Sequence, residues 1–300
     1  MDFDLNNEQR LLQQTVRDFA RNEVAPVAEE LDRTKTFPYE IVDKLGDLGL
    51  MGIPFPEEYG GSGGDILSYA LAVEELARID SSVAITLAAH ISLGTTPIYN
   101  WGTDEQKAEW LPDLCAGRKL AAFGLTEPEA GSDAGNTRTR AELDGDEWVV
   151  NGAKQFITNS GTDISACVTI TAVTGKDENG RPEISNIIVP NGTPGYTVDP
   201  PYRKMGWNAS DTHPLTFEDA RVPAGNLLGP RGQGFKQFLQ ILSAARSVSP
   251  RCLSASPRVR STRPSSTRRS ARPSASRSRS SRPYRRKSPT SHPRSRPPAC

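Results

Sequence analysis

The stretch "LDGDEWVVNGAKQFITN", residues 143–159, decides how the middle of this 300-residue chain folds. Asp144, Gly145 and Asp146 are turn formers, and the apolar, aromatic and β-branched residues that follow suit a pleated strand. Runs of the same kind lie on either side: "LAAFGLTE", "TRTRAEL", "ACVTITAV", "SNIIVP" and "HPLTFEDARVP". Turn-rich segments such as "VTGKDENGRP" separate them. This pattern predicts an all-β domain over 119–229, a barrel or a sandwich.

Outward from that domain the period changes. Residues 1–118 read as a helical domain. Leu12, Val16, Phe19 and Val27 recur close to every 3.6 residues, and Ile66, Tyr69, Val73 and Leu76 form a second stripe behind Asp65 as a cap. "SSVAITLAAHISLGTTPI" is apolar nearly all round, as a helix between other helices would be. Thr103 is placed to cap "DEQKAEWLPDLC", which stops near Gly117. After the β domain the helical period returns, with Phe235, Phe238, Leu239 and Leu242 on one face. Residues 230–246 thus read as the first helix of another helical domain. The fold class predicted is α+β, namely helices, a central β domain, the start of more helices, and then a tail.

From 247 to 300 the chain is Arg, Ser and Pro. Of the 36 Lys and Arg, 15 lie after Arg246, while all 36 Asp and Glu precede it. The formal charge of zero therefore hides about −15 followed by about +15. Such a composition predicts disorder. Cys115, Cys167, Cys252 and Cys300 show no CxxC spacing, so neither a metal site nor a disulfide framework is expected. No apolar run approaches a membrane span, and the polar, acidic start is unlike a signal peptide. A cytoplasmic location is expected.

Two segments carry chemistry. "FGLTEPEAGSDAGNT" (123–137) runs from a strand into a loop of glycines, hydroxyls and carboxylates, suited to a polar ligand or simply to a long turn. "GAKQFITNSG" (152–161) again joins an aromatic, a β-branched residue, Thr and Asn. A planar aromatic cofactor fits this pair, with Phe156 over one face and Thr126 and Thr158 bonding ring heteroatoms. By contrast, Gly60, Gly61, Gly63 and Gly64 lack a preceding strand and the phosphate-loop spacing, and read as a turn. His90, on an apolar helix, reads as a core residue. His213 opens a strand, and Trp207 suits packing near a cofactor or within the β domain equally.

In that order, "GLTEPEAGSDAG", "NGAKQFITNSG" and "KMGWNASDTHPLTFEDARVPAGNLLG" resemble the acyl-CoA dehydrogenase family, and "PEEYGGSGGD" with "LAVEELARIDSS" matches its N-terminal part. The resemblance spans residues 1–246. It implies FAD as cofactor, bound between the barrel and C-terminal helices of a homotetramer. It also implies an acyl-CoA substrate, α,β-desaturation in fatty-acid or branched-chain catabolism, and an electron-transfer flavoprotein as acceptor. Phe123, Leu125, Thr126, Gly131 and Ser132 would contact the flavin, with Ser132 also near the acyl-CoA. Phe156, Ile157 and Thr158 would cover its far face, and Arg246 would touch substrate. An oxidase or flavin monooxygenase of the same fold is the enzymatic rival.

The resemblance also implies a catalytic Glu late in the C-terminal domain or, in a minority, immediately before the Arg matched by Arg246. Here Ala245 holds that position and no carboxylate follows Asp219. The family's Arg-x-x-Phe-Gly cofactor element is missing as well. Poor FAD retention and no turnover are the expectation for these 300 residues. Permitted codons for 265–282, read from the third base, encode VYAKERKAFGQPISKFQ, which contains that element. A shifted reading frame beyond Arg246 is therefore the preferred reading of the tail. The others are an inert extension and a basic segment that binds nucleic acid or anionic surfaces.

Overall fold

The computed structural model describes residues 4–245. The readings of 247–300 as an out-of-frame, disordered or nucleic-acid-binding segment, and of Arg246 as a substrate residue, lie outside the described residues.

The first helix, α1 (Asn7–Phe19), starts on a capping box: Gln9 N donates to Asn6 Oδ1 at 2.8 Å, and Asn6 N donates back to Gln9 Oε1 at 3.1 Å. A π-type turn over Ala20–Val24 leads into α2 (Ala25–Thr34). Val16 and Phe19 are buried, but Val27 is 38% exposed. The wider turn inserts an extra residue and rotates the apolar stripe, so the predicted period fails there. Helix α3 (Tyr39–Asp47) precedes α4 (Ile66–Ala77), which Asp65 caps by accepting from Ser68 N at 2.6 Å. Tyr69, Val73 and Leu76 are buried as expected, whereas Ile66, in the first turn, is 53% exposed.

The stretch predicted to be buried all round forms α5 (Ser81–Ala89), a second π-type turn (His90–Thr95) and α6 (Thr96–Trp101). Val83, Leu87, Ile91 and Ile98 within it share one core with Leu45, Met51, Leu76, Leu111 and Leu114. Helix α7 (Asp104–Cys115) carries the predicted cap at Thr103, completed by Gln106, and ends before Gly117, whose φ of +74° breaks the helix. The glycine-rich segment after α3 is a turn. Its N–H groups are spent internally, Gly61 on Pro56 O, Gly63 on Phe55 O and Gly64 on Ile53 O. None of these three remains for a phosphate.

Eight strands follow: β1 (Leu120–Gly124), β2 (Arg140–Asp144), β3 (Glu147–Thr158), β4 (Ser165–Lys176), β5 (Pro182–Pro190), β6 (Tyr196–Val198), β7 (Thr212–Pro223) and β8 (Leu227–Leu228). The sheet order is β6-β7-β3-β2-β4-β5-β8. The opening stretch forms the β2–β3 hairpin, with Leu143 opposite Trp148 and Gly145 at φ +62°. One edge of β4 pairs with β5, while the other carries β1 along its start and β2 at Val173. Ala122, Ala141, Val150, Ile170, Ile187 and Phe217, from six strands, belong to one apolar cluster, so the sheet curls around its own core.

The last described helix, α8 (Gly234–Ala245), packs on this sheet. Asn186 of β5 donates to Gly234 O at 3.3 Å and to Gln237 Oε1 at 2.7 Å. Phe238 and Ile241 form its buried face, while Leu239, placed on that face by the sequence pattern, is 48% exposed. Among the described residues no helix is long and apolar enough to cross a membrane.

Candidate functional site

Strand β1 delivers the chain into the loop 125–139, and a buried ion pair holds that loop. Lys154 Nζ, fully buried in β3, donates to Glu127 Oε1 at 2.6 Å, Thr171 Oγ1 at 3.1 Å and Leu125 O at 3.4 Å. Glu127 also accepts from Arg138 N at 2.6 Å and Thr139 N at 3.1 Å. Its carboxyl thus ties both ends of the loop together. Burial opposes ionisation of Glu127, but the ammonium of Lys154 and the two peptide N–H groups outweigh it and lower its pKa. Burial lowers Lys154 to about 8, against the attraction of Glu127. Both groups are charged at neutral pH. The sequence reading missed this pair. The available signal was a Lys in "EWVVNGAKQFIT" at a position that alternation from Trp148 and Val150 turns inward.

The end of β3 presents the second half of the site. Its register against β7 shifts between Lys154 and Ile157. Simple alternation would turn Phe156 inward with Lys154. The bulge instead places Lys154 and Ile157 both inside and leaves Phe156 outside, at φ +61° and 59% exposed. The Phe156 ring lies against Tyr202, 4.8 Å between centroids. Gln155 N donates to Thr126 O at 2.7 Å, which fastens the loop to the strand end. The segments that the sequence singled out therefore meet.

Beyond Thr158 the chain turns through Asn159, also left-handed at φ +63°, whose side chain donates to Thr86 O of α5 at 3.0 Å. Gly161 N donates to Asp211 Oδ2 at 2.8 Å. Asp211 Oδ1 accepts from His213 Nε2, and Asp199 O accepts from His213 Nδ1, each at 2.6 Å. His213 is therefore a buried, doubly bonded residue and more than a strand opener. His90 is a core residue as expected. It bonds Leu114 O at 3.0 Å and accepts from Ala121 N at 3.3 Å, and burial pushes its pKa down to about 4. Trp207 donates from its indole to Ser81 Oγ at 3.0 Å, linking the β domain to α5.

The expected contact residues divide by exposure. The ring of Phe123 is buried and stacks on Phe238 of α8, 5.6 Å between centroids, with Leu125 beside it, so both brace the loop from below. The side chain of Ile157 is in the β core, leaving its main chain alone for a ligand. Thr126 and Thr158 are half-buried, and among the described residues no hydrogen bond involves either hydroxyl. Gly131 and Ser132 are exposed, and a Cβ added at Gly131 would meet nothing within 4 Å. The fold's own packing therefore does not demand a glycine there. Open hydroxyls, an outward aromatic ring and an unencumbered glycine together fit a flat ligand with polar edges, as a flavin is.

The family model described as the acyl-CoA dehydrogenase N-terminal domain matches residues 6–118, and that of the middle domain matches 122–220. The chain is 53% identical over 246 residues to a protein of Bacillus subtilis named probable acyl-CoA dehydrogenase YngJ, covering 82% of this chain and 64% of that one. It thus spans just under two thirds of that relative's length. Among solved structures, butyryl-CoA dehydrogenase from Megasphaera elsdenii superposes with a TM-score of 0.80 at 42% identity, over 85% of this chain and 67% of that one. An acyl-CoA dehydrogenase of Bacillus anthracis, solved in complex with FAD, gives 0.77 at 38% identity, over 84% and 42%.

Proposed function

The chain belongs to the acyl-CoA dehydrogenase family, and from that premise we propose that its described residues form the flavin-facing part of an FAD-dependent α,β-desaturase of acyl-CoA thioesters. The observation that carries this reading is the fastening of Thr126 to the strand end that displays Phe156 and Thr158. Bound FAD would supply the hydride acceptor, and the protein supplies orientation and electrostatics. Phe156 covers one face of the ring and excludes water from it. Thr126 and Thr158 donate to its polar edge, a preorganised arrangement where negative charge develops. Ser132, next to the unencumbered Gly131, faces both flavin and acyl chain, and Arg246 serves the substrate. An electron-transfer flavoprotein as acceptor and a homotetramer as assembly complete the proposal. Cys115 and Cys167 are free, buried thiols, which suits a reducing compartment such as the cytoplasm.

A base must also remove the α-proton, and residues 220–300 contain no carboxylate to do so. The Arg-x-x-Phe-Gly cofactor element is absent too, so the 300-residue chain should bind FAD weakly and saturably without oxidising an acyl-CoA. Titrating FAD against the chain while following flavin fluorescence tests this. Phe156→Ala is expected to weaken binding about tenfold, the scale of a lost aromatic stack. Anaerobic butyryl-CoA is expected to leave the flavin oxidised. Binding indifferent to Phe156→Ala would remove the site from the proposal, and bleaching by butyryl-CoA would overturn the absence of a base.

A further inference from the structure

We propose that Asp211 and His213 are positioning residues for the flavin-covering strand end: a protonated His213 holds Asp211, and Asp211 holds the turn that fixes Phe156 and Thr158. The inference rests on the flavin reading of those two residues. His213 lies directly opposite Ile157 in the β3–β7 ladder, and Thr212 lies opposite Thr158. Asp211 grips the turn twice, accepting from Gly161 N on its carboxylate at 2.8 Å and from Asn159 N on its carbonyl at 3.3 Å. Gly161 rests against the imidazole, where an added Cβ would stand 2.4 Å from Nε2. The turn and the ring therefore move together or not at all.

The partners dictate the protonation state. A peptide carbonyl only accepts, so Nδ1 must donate to Asp199 O. An ionised carboxylate only accepts, so Nε2 must donate to Asp211 as well. Both bonds exist together only in the imidazolium form, and the one to Asp211 is charge-assisted. When the proton leaves Nε2, a lone pair faces the Asp211 carboxylate and the clamp is lost. Lys204, which donates to Ser210 O and Thr212 Oγ1, is a cation close enough to work against protonation. The carboxylate of Asp199 is engaged by Thr216 Oγ1 at 2.8 Å. The turn after β3 meets the ring with main chain at Gly161.

Burial pulls the imidazole down, but the bonds to Asp211 and Asp199 outweigh it and raise His213 above its ordinary 6.5. A pKa raised by folding means that the clamp is complete below pH 6.5 and disappears as pH rises through the higher, folded value. The strand end is therefore held below pH 6.5 and released as pH rises through the folded value.

The chain contains three histidines, His90, His213 and His292, so imidazole proton resonances can be assigned by comparison with His213→Gln. The His213 midpoint is expected above 6.5. Main-chain exchange protection at Asn159 and Gly161 should fall about tenfold as pH passes that midpoint, the scale of one charge-assisted bond in local opening. FAD affinity should follow the same curve. In His213→Gln both should be independent of pH, and Asp211→Asn should lose protection at every pH. A midpoint at or below 6.5, or an unchanged pH dependence in His213→Gln, overturns the proposal. If protection tracks His213 while FAD fails to bind at all, the clamp stands and the flavin reading falls.

Discussion

Lys154→Met is expected to destabilise the chain by about 3 kcal/mol or more, the usual cost of stranding one member of a buried ion pair. The substitution leaves the Glu127 carboxylate inside the fold with two peptide N–H donors and no counter-charge. It also frees Leu125 O and Thr171 Oγ1 from the ammonium. Methionine keeps most of the volume, so packing contributes little to the loss. Urea denaturation reads the stability directly. The double variant Glu127→Leu with Lys154→Met removes both charges and should recover much of the difference. FAD affinity should fall with Lys154→Met as well, because Thr126 is held between Leu125 and Glu127. A change within about 0.5 kcal/mol, the range of ordinary surface substitutions, would mean that the pair does not hold the loop.

The second large effect belongs to Gly94→Ala. Gly94 sits in the π-type turn after α5, against β1, where a single added methyl would lie 2.1 Å from Ala121 O and 2.5 Å from its carbonyl carbon. These are main-chain atoms of a buried strand, with no flexible side chain to yield. Relief requires the helices to withdraw from β1, the strand that delivers Phe123 and the loop beyond it. A loss of about 3 kcal/mol is expected, at the upper end for overpacking, and poor recovery of folded protein would be consistent with it. Thermal unfolding near that of the parent chain would show that the helical layer and β1 approach each other less closely.

Much of this fold was legible because local and global preferences agree. The capping residues Asp65 and Thr103, the hairpin at Gly145 and the all-apolar stretch 81–98 each act through neighbours in sequence. Val27, Ile66 and Leu239 were misplaced for a different reason. A helical period assumes an unbroken helix and a partner along its whole face. The π-type turn after Phe19 breaks the first assumption, and Ile66 and Leu239 lie where no described element covers them. The candidate site was legible as two segments, since glycines, hydroxyls and an aromatic cluster in each. Its supports were not. Glu127 and Lys154 are 27 residues apart, and Asp211 reaches Gly161 across 50. The β3–β7 ladder brings Asp211 to the turn, the bond from Gln155 N to Thr126 O brings the loop of Glu127 to β3, and neither pairing leaves a mark in local hydrophobic alternation.

FAD is expected to lie against the loop 123–132 and the strand end 156–158. Hydrogen–deuterium exchange of the 300-residue chain, with and without saturating FAD, tests it most directly and does not depend on turnover. Slower exchange confined to those two segments, and to the turn at Asn159–Gly161 behind them, is the predicted result. Unchanged exchange there, or protection centred on the glycine-rich turn at 60–64, would contradict it.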